Sequence, residues 1–455
     1  EITTRLVGSE MCIRDSIKDV DGNLPYAASS SNEKITGLLF DISQQPELFT
    51  TGYGKSNEAN VKAGDVLYIT SRKSSIQDFG IIERVACEEG EEANENFIHG
   101  IPAYHIREFF RMSGNLDGNG KLYVMFADCS ENWDAIDVMQ RAADGLISQL
   151  GVWTEQPLWK ANGEAEKYNL NLVKGINDKA VAMAQQNQPL SIILSANPGN
   201  TGGGTEEAKK IDLNKIPTAI CEASRTSVIF GQARNETIAT MQMRNVNHTP
   251  VGFLGSVMGA VARANVQESI AWVRQFNLFD DDFQQIELGF GDLTLDARDE
   301  FVSTNLYESL SPTLLDDLDD KGYIFPIKYA GRENGIYISK DQTCSIGDYR
   351  TIARNRTINK SRRAVREALL PYVHSPLMVN PSTGYLAASK ISAFRTLVGD
   401  ILAKMQAAQE ISGYAVTINA NQNVLVDDTL RISYVIVPVG VAVKIYVEEG
   451  LSLTA

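Results

Sequence analysis

The chain has few of the residues from which metal sites and disulfide frameworks are built. Its 455 residues include only 5 cysteines and 4 histidines. The cysteines are scattered and form no CxxC pair, which argues against zinc binding and against a disulfide-stapled fold. The histidines, likewise, form no HxxxH or HxH pair. The sequence therefore predicts no metal and no cofactor, and it predicts reduced cysteines, as in a protein made in a reducing cytosol.

Long hydrophobic runs and recognisable catalytic motifs are also missing. No stretch approaches the roughly eighteen uninterrupted apolar residues that predict a transmembrane helix. There is no GxSxG turn. The glycine-rich segment 197–210, NPGNTGGGTEEAKK, fails the GxxxxGK[ST] spacing of a phosphate-binding loop and is interpreted as a surface loop. The segment most similar to a calcium-binding loop starts with residues 115–120. Its twelfth position is Phe126, where the loop requires a bidentate Glu. These patterns give no positive indication of an enzyme.

Positive charge is scarce overall but concentrated in one place. The net charge of −15 argues against binding of nucleic acid or anionic lipid by the chain as a whole. Segment 350–366, RTIARNRTINKSRRAVR, nevertheless carries seven basic residues and no acid. It is either a solvated helix face or a docking face for an acidic partner. Aromatic residues for base stacking are absent from it, so an acidic protein surface fits better than a nucleic acid.

The first residues are interpreted as an artefact of sequence assembly. Residues 6–16, LVGSEMCIRDS, translate a DNA string that resembles a transposase adapter used in sequencing. We therefore exclude residues 1–16, including Cys12, from reasoning about the fold. This interpretation predicts that the native N-terminus is missing. The polar, Ser-rich stretch 17–35 that follows is interpreted as an arm or linker.

Alternating strands and helices predict the architecture of the central part. Apolar segments rich in β-formers predict strands over 35–42, 63–71, 120–128, 190–196 and 226–233. Helical spacing predicts helices over 133–150, 176–186 and 252–266. This alternation predicts an α/β fold in which a mostly parallel sheet is covered by helices. We divide it into a β-rich N-terminal region, 36–115, and an α/β domain, 116–330.

Residues 331–455 are predicted to form a separate C-terminal α+β domain. Helices are expected over 359–373 and over 391–411, the second with Gly413 as its stop. The apolar stripe of that second helix is predicted to comprise Ile391, Phe394, Val398, Ile401 and Met405.

The segment 430–451 alternates apolar and polar residues with the period of a strand. Near its end one face carries Val441, Val443, Ile445 and Val447, and the other includes Lys444 and Tyr446. An unpaired β segment at a chain end is prone to aggregation. It either closes the sheet of its own subunit or adds to the sheet of a neighbour, where backbone hydrogen bonds would supply affinity.

The order of these segments resembles the contractile tail sheath protein family, and most closely the divergent sheath proteins of Bacteroidetes phages. The segments that carry the resemblance are GFLGSVMGAVARANVQESIAWV, KGYIFPIKYAG, NKSRRAVREALLPYV, SAFRTLVGDILAKMQAAQEISGY and LRISYVIVPVGVAVKIYVEEGL. They span about 250–455, and the α/β region matches more loosely. Each motif alone is weak, but their order and spacing together are specific.

The resemblance implies a mechanical protein rather than an enzyme. It implies a subunit that polymerises helically around a tail tube and contracts to drive the tube through a cell envelope. The implied partners are further copies of the chain, the tube protein, and baseplate and tail terminator proteins, in a particle assembled in the bacterial cytoplasm. The resemblance places Lys360, Arg362, Arg363 and Arg366 against the tube and makes residues 441–447 an inter-subunit arm.

Two other functions remain open at this stage. The α/β alternation is also compatible with a nucleotide-binding protein or enzyme that carries an appended β domain, because many functions share that architecture. A structural shell or surface-layer protein would instead form flat lattices.

Overall fold

The protein was analysed as a computed structural model. It describes residues 32–43, 61–79, 81, 97–114, 121–162, 165–168, 170–197, 213–244, 249–288, 294–295, 301–302 and 306–443. The chain divides into two compact units, residues 1–375 and 376–455. The predicted boundary at 331 therefore differs from the structural one. Residues such as Ile338 and Cys344 lie in the hydrophobic core of the first unit, which is why the segment after 331 belongs to it.

Helices occur along the whole described chain. They are α1 (Arg72–Gln77), α2 (Phe97–Ser113), α3 (Ala135–Ala142), α4 (Leu170–Gln185), α5 (Glu236–Arg244), α6 (Leu254–Arg263), α7 (Pro312–Asp320), α8 (Ile352–Leu369), α9 (Ala388–Ala407) and α10 (Val424–Asp427). Short 3-10 turns lie at Asn32–Lys34, Leu213–Lys215, Tyr307–Ser309 and Leu370–Tyr372.

Six strands form the main sheet, and the others form two-stranded pairs. The strands of the main sheet are β1 (Thr36–Asp41), β2 (Val66–Ile69), β3 (Leu122–Ala127), β4 (Gln149–Trp153), β7 (Ser191–Ser195) and β8 (Thr226–Ile229). The pairs are β5 (Trp159–Asn162) with β6 (Ala165–Tyr168), β9 (Gln232–Ala233) with β10 (Ile286–Glu287), β11 (Thr294–Leu295) with β12 (Phe301–Val302), β13 (Pro326–Ile327) with β14 (Tyr337–Ile338), and β15 (Ile411–Thr417) with β16 (Ser433–Pro438).

The main sheet is parallel except at one edge. Its order is β2-β3-β1-β4-β7-β8, and β2 alone runs antiparallel to its neighbour. Every residue of β1, β4, β7 and β8 is buried, as expected of strands that are covered on both faces. The predicted mostly parallel, helix-covered α/β sheet is thus confirmed.

Helices α3 and α6 cover opposite faces of this sheet. A Cβ atom on Gly37 would meet Met139 of α3, whereas one on Gly151 would meet Met258 of α6. Gly37 pairs with Leu150, the residue directly before Gly151. Because successive residues of a strand point to opposite faces, the two helices lie on opposite sides.

Strands β1 and β2, assigned above to a separate N-terminal region, are members of the main sheet. The last residues of the predicted linker 17–35 are also packed, because Glu33 and Ile35 are buried. The rest of that linker, the residues 1–16 taken as an artefact, and the loops at 115–120 and 198–210 lie outside the described residues.

The single helix predicted over 133–150 is wrong. Helix α3 ends at Ala142, and residues 149–153 form β4 near the centre of the sheet. The chain leaves the helix through Asp144 and Gly145, both of which have positive φ. The side chain of Gln140 then holds the turn, because it hydrogen-bonds both the N–H and the carbonyl of Ile147.

The second unit contains α9 packed on the β15–β16 hairpin. The buried stripe of α9 is Ile391, Phe394, Val398, Leu402 and Met405, so Leu402 stands in the place predicted for Ile401. Helix α9 ends at Ala407, and the predicted stop Gly413 lies inside β15. Antiparallel pairing with β16 determines the conformation of Gly413, which the local sequence did not reveal.

Candidate assembly surfaces

Helix α8 carries the basic segment predicted to dock a partner. The side chain of Thr351 caps it by accepting a hydrogen bond from the Arg354 N–H at 3.1 Å. Half of its 18 residues are buried, including Arg356, so an entirely solvated helix face is excluded. Arg356 donates to the carbonyls of Ala264 and Asn265 at 3.0 and 3.1 Å. Burial lowers the pKa of its guanidinium to about 10.

An acid of the same chain faces part of the basic segment. Arg363 donates to both carboxylate oxygens of Glu33, at 3.0 and 2.6 Å, and to the carbonyl of Pro189. Such bidentate pairs are among the stronger charge-assisted contacts. Arg363 therefore joins α8 to the residues that enter β1, and this contact was not visible in the sequence because the two partners lie more than 300 residues apart.

The other predicted tube-contact residues, Lys360, Arg362 and Arg366, lie half-buried on α8 and each takes part in further interactions. The structure thus brings all four predicted residues onto one helix. Their contact with a tube stays a prediction.

A buried carboxyl group sits at the start of α8. Asp341 accepts a hydrogen bond from the Ala353 N–H at 3.3 Å. Burial raises the pKa of Asp341 to about 7 from its ordinary 3.8, against the lowering effects of backbone N–H groups and of Arg356. The folded state therefore keeps this proton between about pH 4 and 7, where the unfolded chain has already released it.

Replacing Asp341 by asparagine is expected to reduce the pH dependence of stability. Because the native state binds the extra proton, the wild-type free energy of unfolding should fall as the pH rises through that window. At pH 8.5 Asp341→Asn should be more stable than wild type by on the order of 3 kcal/mol, and at pH 4 nearly equal. Urea unfolding at both pH values measures this. Asp348→Asn, at an exposed position, is the control. If Asp341→Asn changed the free energy of unfolding equally at both pH values, the expectation would be contradicted.

The hairpin of the second unit is the other predicted assembly element. Strand β16 confirms the strand predicted after residue 430. It pairs with β15 in a register that places Tyr414 opposite Ile436. On the opposite face of the hairpin, Val435 and Val437 are 56% and 53% exposed. The sheet has only two strands among the described residues, so each strand has one edge without a partner strand there.

The predicted arm follows this hairpin. Val441 and Val443 are 54% and 79% exposed, and neither belongs to a strand. Lys444, Ile445, Tyr446 and Val447 lie outside the described residues. The sequence missed the exposed pair Val435 and Val437, although their alternation with Tyr434 and Ile436 was the available signal.

A nucleotide would be expected at a different place, the end of the parallel strands. The five parallel strands follow the order 2-1-3-4-5, which places a crevice between the carboxyl ends of β1 and β4. Asp41, the last residue of β1, is buried there. It accepts from the N–H and Oγ of Ser43, the N–H of Cys129, Oγ1 of Thr154 and Nε2 of Gln156, at 2.6–3.0 Å.

These contacts leave Asp41 no capacity for a ligand, since a carboxylate accepts about four hydrogen bonds. The remaining space at this end measures about 10 Å³, room for about one water molecule. It is lined by Phe40, Ile42, Ile101, Pro102, Trp153 and Glu155, with Asp41. This cavity is too small for a nucleotide.

In the described part of the chain, no helix is both long and apolar enough to cross a bilayer. Within the same part, no three His, Cys, Asp or Glu side chains cluster as metal ligands would. His105 illustrates the alternative, because it is buried, accepts from the Gly255 N–H at 3.1 Å and donates to the Val251 carbonyl at 2.9 Å.

The fold of this chain matches those of several solved structures along nearly its whole length. A chain of the anti-feeding prophage baseplate has a TM-score of 0.54 at 11% identity, covering 97% of this chain and 99% of its own. A chain of the contracted anti-feeding prophage sheath scores 0.50 at 12% identity, covering 96% and 100%. A chain of the contracted PVC sheath complex, from an extracellular contractile injection system, scores 0.51 at 12% identity, covering 97% of each chain.

Sequence comparison adds one match. The protein-family model described as DUF2586, C-terminal domain, matches residues 348–455. No curated protein sequence matches this chain. The structural matches show that 96–97% of the chain shares the fold of chains from contractile injection system sheath and baseplate structures.

Proposed function

We propose that this protein is the structural subunit of a contractile sheath, which polymerises helically around a tail tube and contracts to drive the tube through a target cell envelope. The observation that carries the proposal is the match of 96–97% of the chain to chains of two contracted sheaths. A fold shared over the whole length includes the hairpin and basic-helix segments that would make assembly contacts, not only a widespread α/β core.

The C-terminal hairpin supports polymerisation by strand addition. An open strand edge is a template for pairing with a further strand. Residues 441–447 of one copy would add a strand to the β15–β16 hairpin of the next, with backbone hydrogen bonds fixing the register. The exposed Val435 and Val437 would be covered in the process. Because the arm and the hairpin are different surfaces, the contact is heterologous, and it can repeat from copy to copy along an open helix.

The basic helix α8 would face the tube. The half-buried Lys360, Arg362 and Arg366 supply positive charge in a chain of net charge −15, which suits an acidic tube surface. Arg363 would contribute by holding α8 in place through Glu33. Baseplate and terminator proteins would cover the two ends of the polymer.

Contraction in this proposal is a repacking of rigid subunits that stay linked by their arms. The free energy would be stored in subunit interfaces, in two alternative packings of the same surfaces. No nucleotide is required, and the small cavity beside the fully hydrogen-bonded Asp41 gives the competing function, a nucleotide-binding enzyme, no support.

Electron microscopy of the purified chain, with and without residues 440–455, tests the proposal. The full chain, co-expressed with its tube protein, is expected to form tubes, and the shortened chain to stay dispersed. Flat lattices would indicate a shell protein instead. A thermal shift on addition of nucleotide would favour the enzyme.

Two double variants of the full-length chain test whether the arm pairs as a strand, because they change its side chains without shortening it. Val443→Asp with Ile445→Asp places charge on the apolar face of the arm and is expected to abolish tubes. Lys444→Ala with Glu448→Ala changes the opposite face and is expected to leave them. Tubes from the Asp variant would contradict strand addition while leaving the sheath function standing.

A further inference from the structure

Two cysteines far apart in the sequence lie side by side in the first unit. The Cys221 N–H donates to the carbonyl of Cys344 at 3.0 Å, and Cys344 forms an antiparallel bridge with Ala223. The two thiol side chains are hydrogen-bonded to each other. Both cysteines are reduced in this structure.

The backbone holds this pair from several directions. The Cys344 N–H donates to the carbonyl of Thr226, the first residue of β8, at 2.8 Å. Two residues before Cys221, the Ala219 N–H donates to the carbonyl of Lys321 at 2.8 Å. Neither cysteine can therefore move away without breaking these backbone contacts.

The two thiols differ in their exposure to solvent. Cys221 is half-buried, so a small oxidant can reach it, whereas Cys344 is fully buried. The hydrogen bond from Cys344 lowers the pKa of the Cys221 thiol, against the opposing effect of burial. A lowered pKa increases the thiolate fraction, which is the attacking species in thiol–disulfide exchange.

We propose that Cys221 and Cys344 form a redox-controlled staple, a dithiol in the reducing cytosol that closes to a disulfide in an oxidising medium. The oxidant is a low-molecular-weight disulfide such as glutathione disulfide. The Cys221 thiolate attacks one sulfur of the oxidant, forms a mixed disulfide and releases the first small thiol. The Cys344 thiolate then attacks Sγ of Cys221 and releases the second.

The reaction balances within these partners. The two protein S–H bonds become one S–S bond, and the two electrons and two protons reduce the oxidant to two thiols. The staple would close a loop of roughly 120 residues, and cross-links across long loops restrict the unfolded chain most. It would join the segment before β8 to the segment that leads into α8. The proposal concerns one chain and does not depend on assembly into a sheath.

Peptide mapping of the full chain tests the staple. The protein, purified with dithiothreitol and then freed of it, is incubated with glutathione disulfide at pH 8. Remaining thiols are alkylated in denaturant before digestion and mass spectrometry. A cross-linked peptide pair containing Cys221 and Cys344 is expected. The midpoint of thermal unfolding should rise by several degrees and return after dithiothreitol.

Two variants control the assignment. Cys221→Ser should lose both the cross-link and the thermal shift. Cys129→Ser should keep both, because Cys129 is buried elsewhere and burial raises the pKa of its thiol. Three results would overturn the proposal: alkylation of both cysteines, glutathione retained on Cys221 without a cross-link, or copies joined through Cys221.

Discussion

Gly255→Ala is expected to lower the free energy of unfolding by about 3 kcal/mol or more, because α2 and α6 touch through their backbones at this point. A Cβ atom on Gly255 would lie 2.1 Å from the carbonyl oxygen of His105, and one on Gly259 would lie 2.5 Å from that of Phe109. Backbone atoms cannot turn aside as a side chain can, so the two helices would have to separate.

The consequences would extend to a buried histidine. Burial lowers the pKa of His105 to about 3, so its ring is neutral near pH 7. The ring spans the contact by accepting from the Gly255 N–H and donating to the Val251 carbonyl. Separation of the helices would leave these polar groups without partners. Each buried group left unsatisfied lowers the free energy of unfolding by about 1–3 kcal/mol.

Urea unfolding followed by circular dichroism measures the loss, and Gly399→Ala is the matched control. Gly399 also lies within a helix, α9, but nothing lies within 4 Å of a Cβ atom built there. The same substitution should therefore stabilise α9 by about 0.5–1 kcal/mol through helix propensity alone. Equal effects at the two positions would show that the close approach of α2 and α6 does not determine the cost.

Arg356→Met is expected to lower the free energy of unfolding by about 2–4 kcal/mol. Methionine keeps much of the packing of the long side chain but removes both hydrogen bonds to the carbonyls of Ala264 and Asn265. Those carbonyls follow directly after α6, at its C-cap Ala264 and the next residue, and the Asn265 carbonyl also accepts from the Glu268 N–H at 3.0 Å. Asp341, at the start of α8, would also lose a neighbouring positive charge.

The control is Arg354→Met on the same helix. Arg354 is half-buried, and its guanidinium reaches only the Asp348 carbonyl, at 3.4 Å. Its replacement should change stability by no more than about 0.5 kcal/mol. If Arg356→Met proved equally mild in chemical denaturation, the carbonyls of α6 would have to find other donors, and Arg356 would not be holding α8 to α6.

Local patterns in the sequence were enough for much of the fold. Strands β1, β3, β7 and β8 were predictable because continuous apolar runs indicate burial on both faces. Helices α8 and α9 followed from helical spacing, and the alternation after residue 430 predicted β16. The two candidate assembly segments were also visible, since a basic cluster in an acidic chain and a β segment near the end of the sequence are each local features.

The tertiary structure decided the features that depend on contacts between distant residues. Strand β4 was missed because Ile147 and Leu150 also fit a helical stripe, and only the neighbours β1 and β7 select the extended form. Proline at position 102 lies inside α2, a helix that the sequence analysis did not predict. The partners of Arg356 and Arg363 and the pairing of Cys221 with Cys344 likewise involve residues far apart along the chain.

The sequence by itself therefore determined the α/β class, several helices, among them α6, α8 and α9, and the location of the charged and β-rich candidate assembly segments. These follow from local hydrophobic periodicity and charge, which act over a few residues. The tertiary structure alone decided which charges are buried or paired, how closely α2 and α6 approach, and which groups hydrogen-bond Asp41. Those properties arise when packing brings together side chains whose separation along the chain carries no local signal.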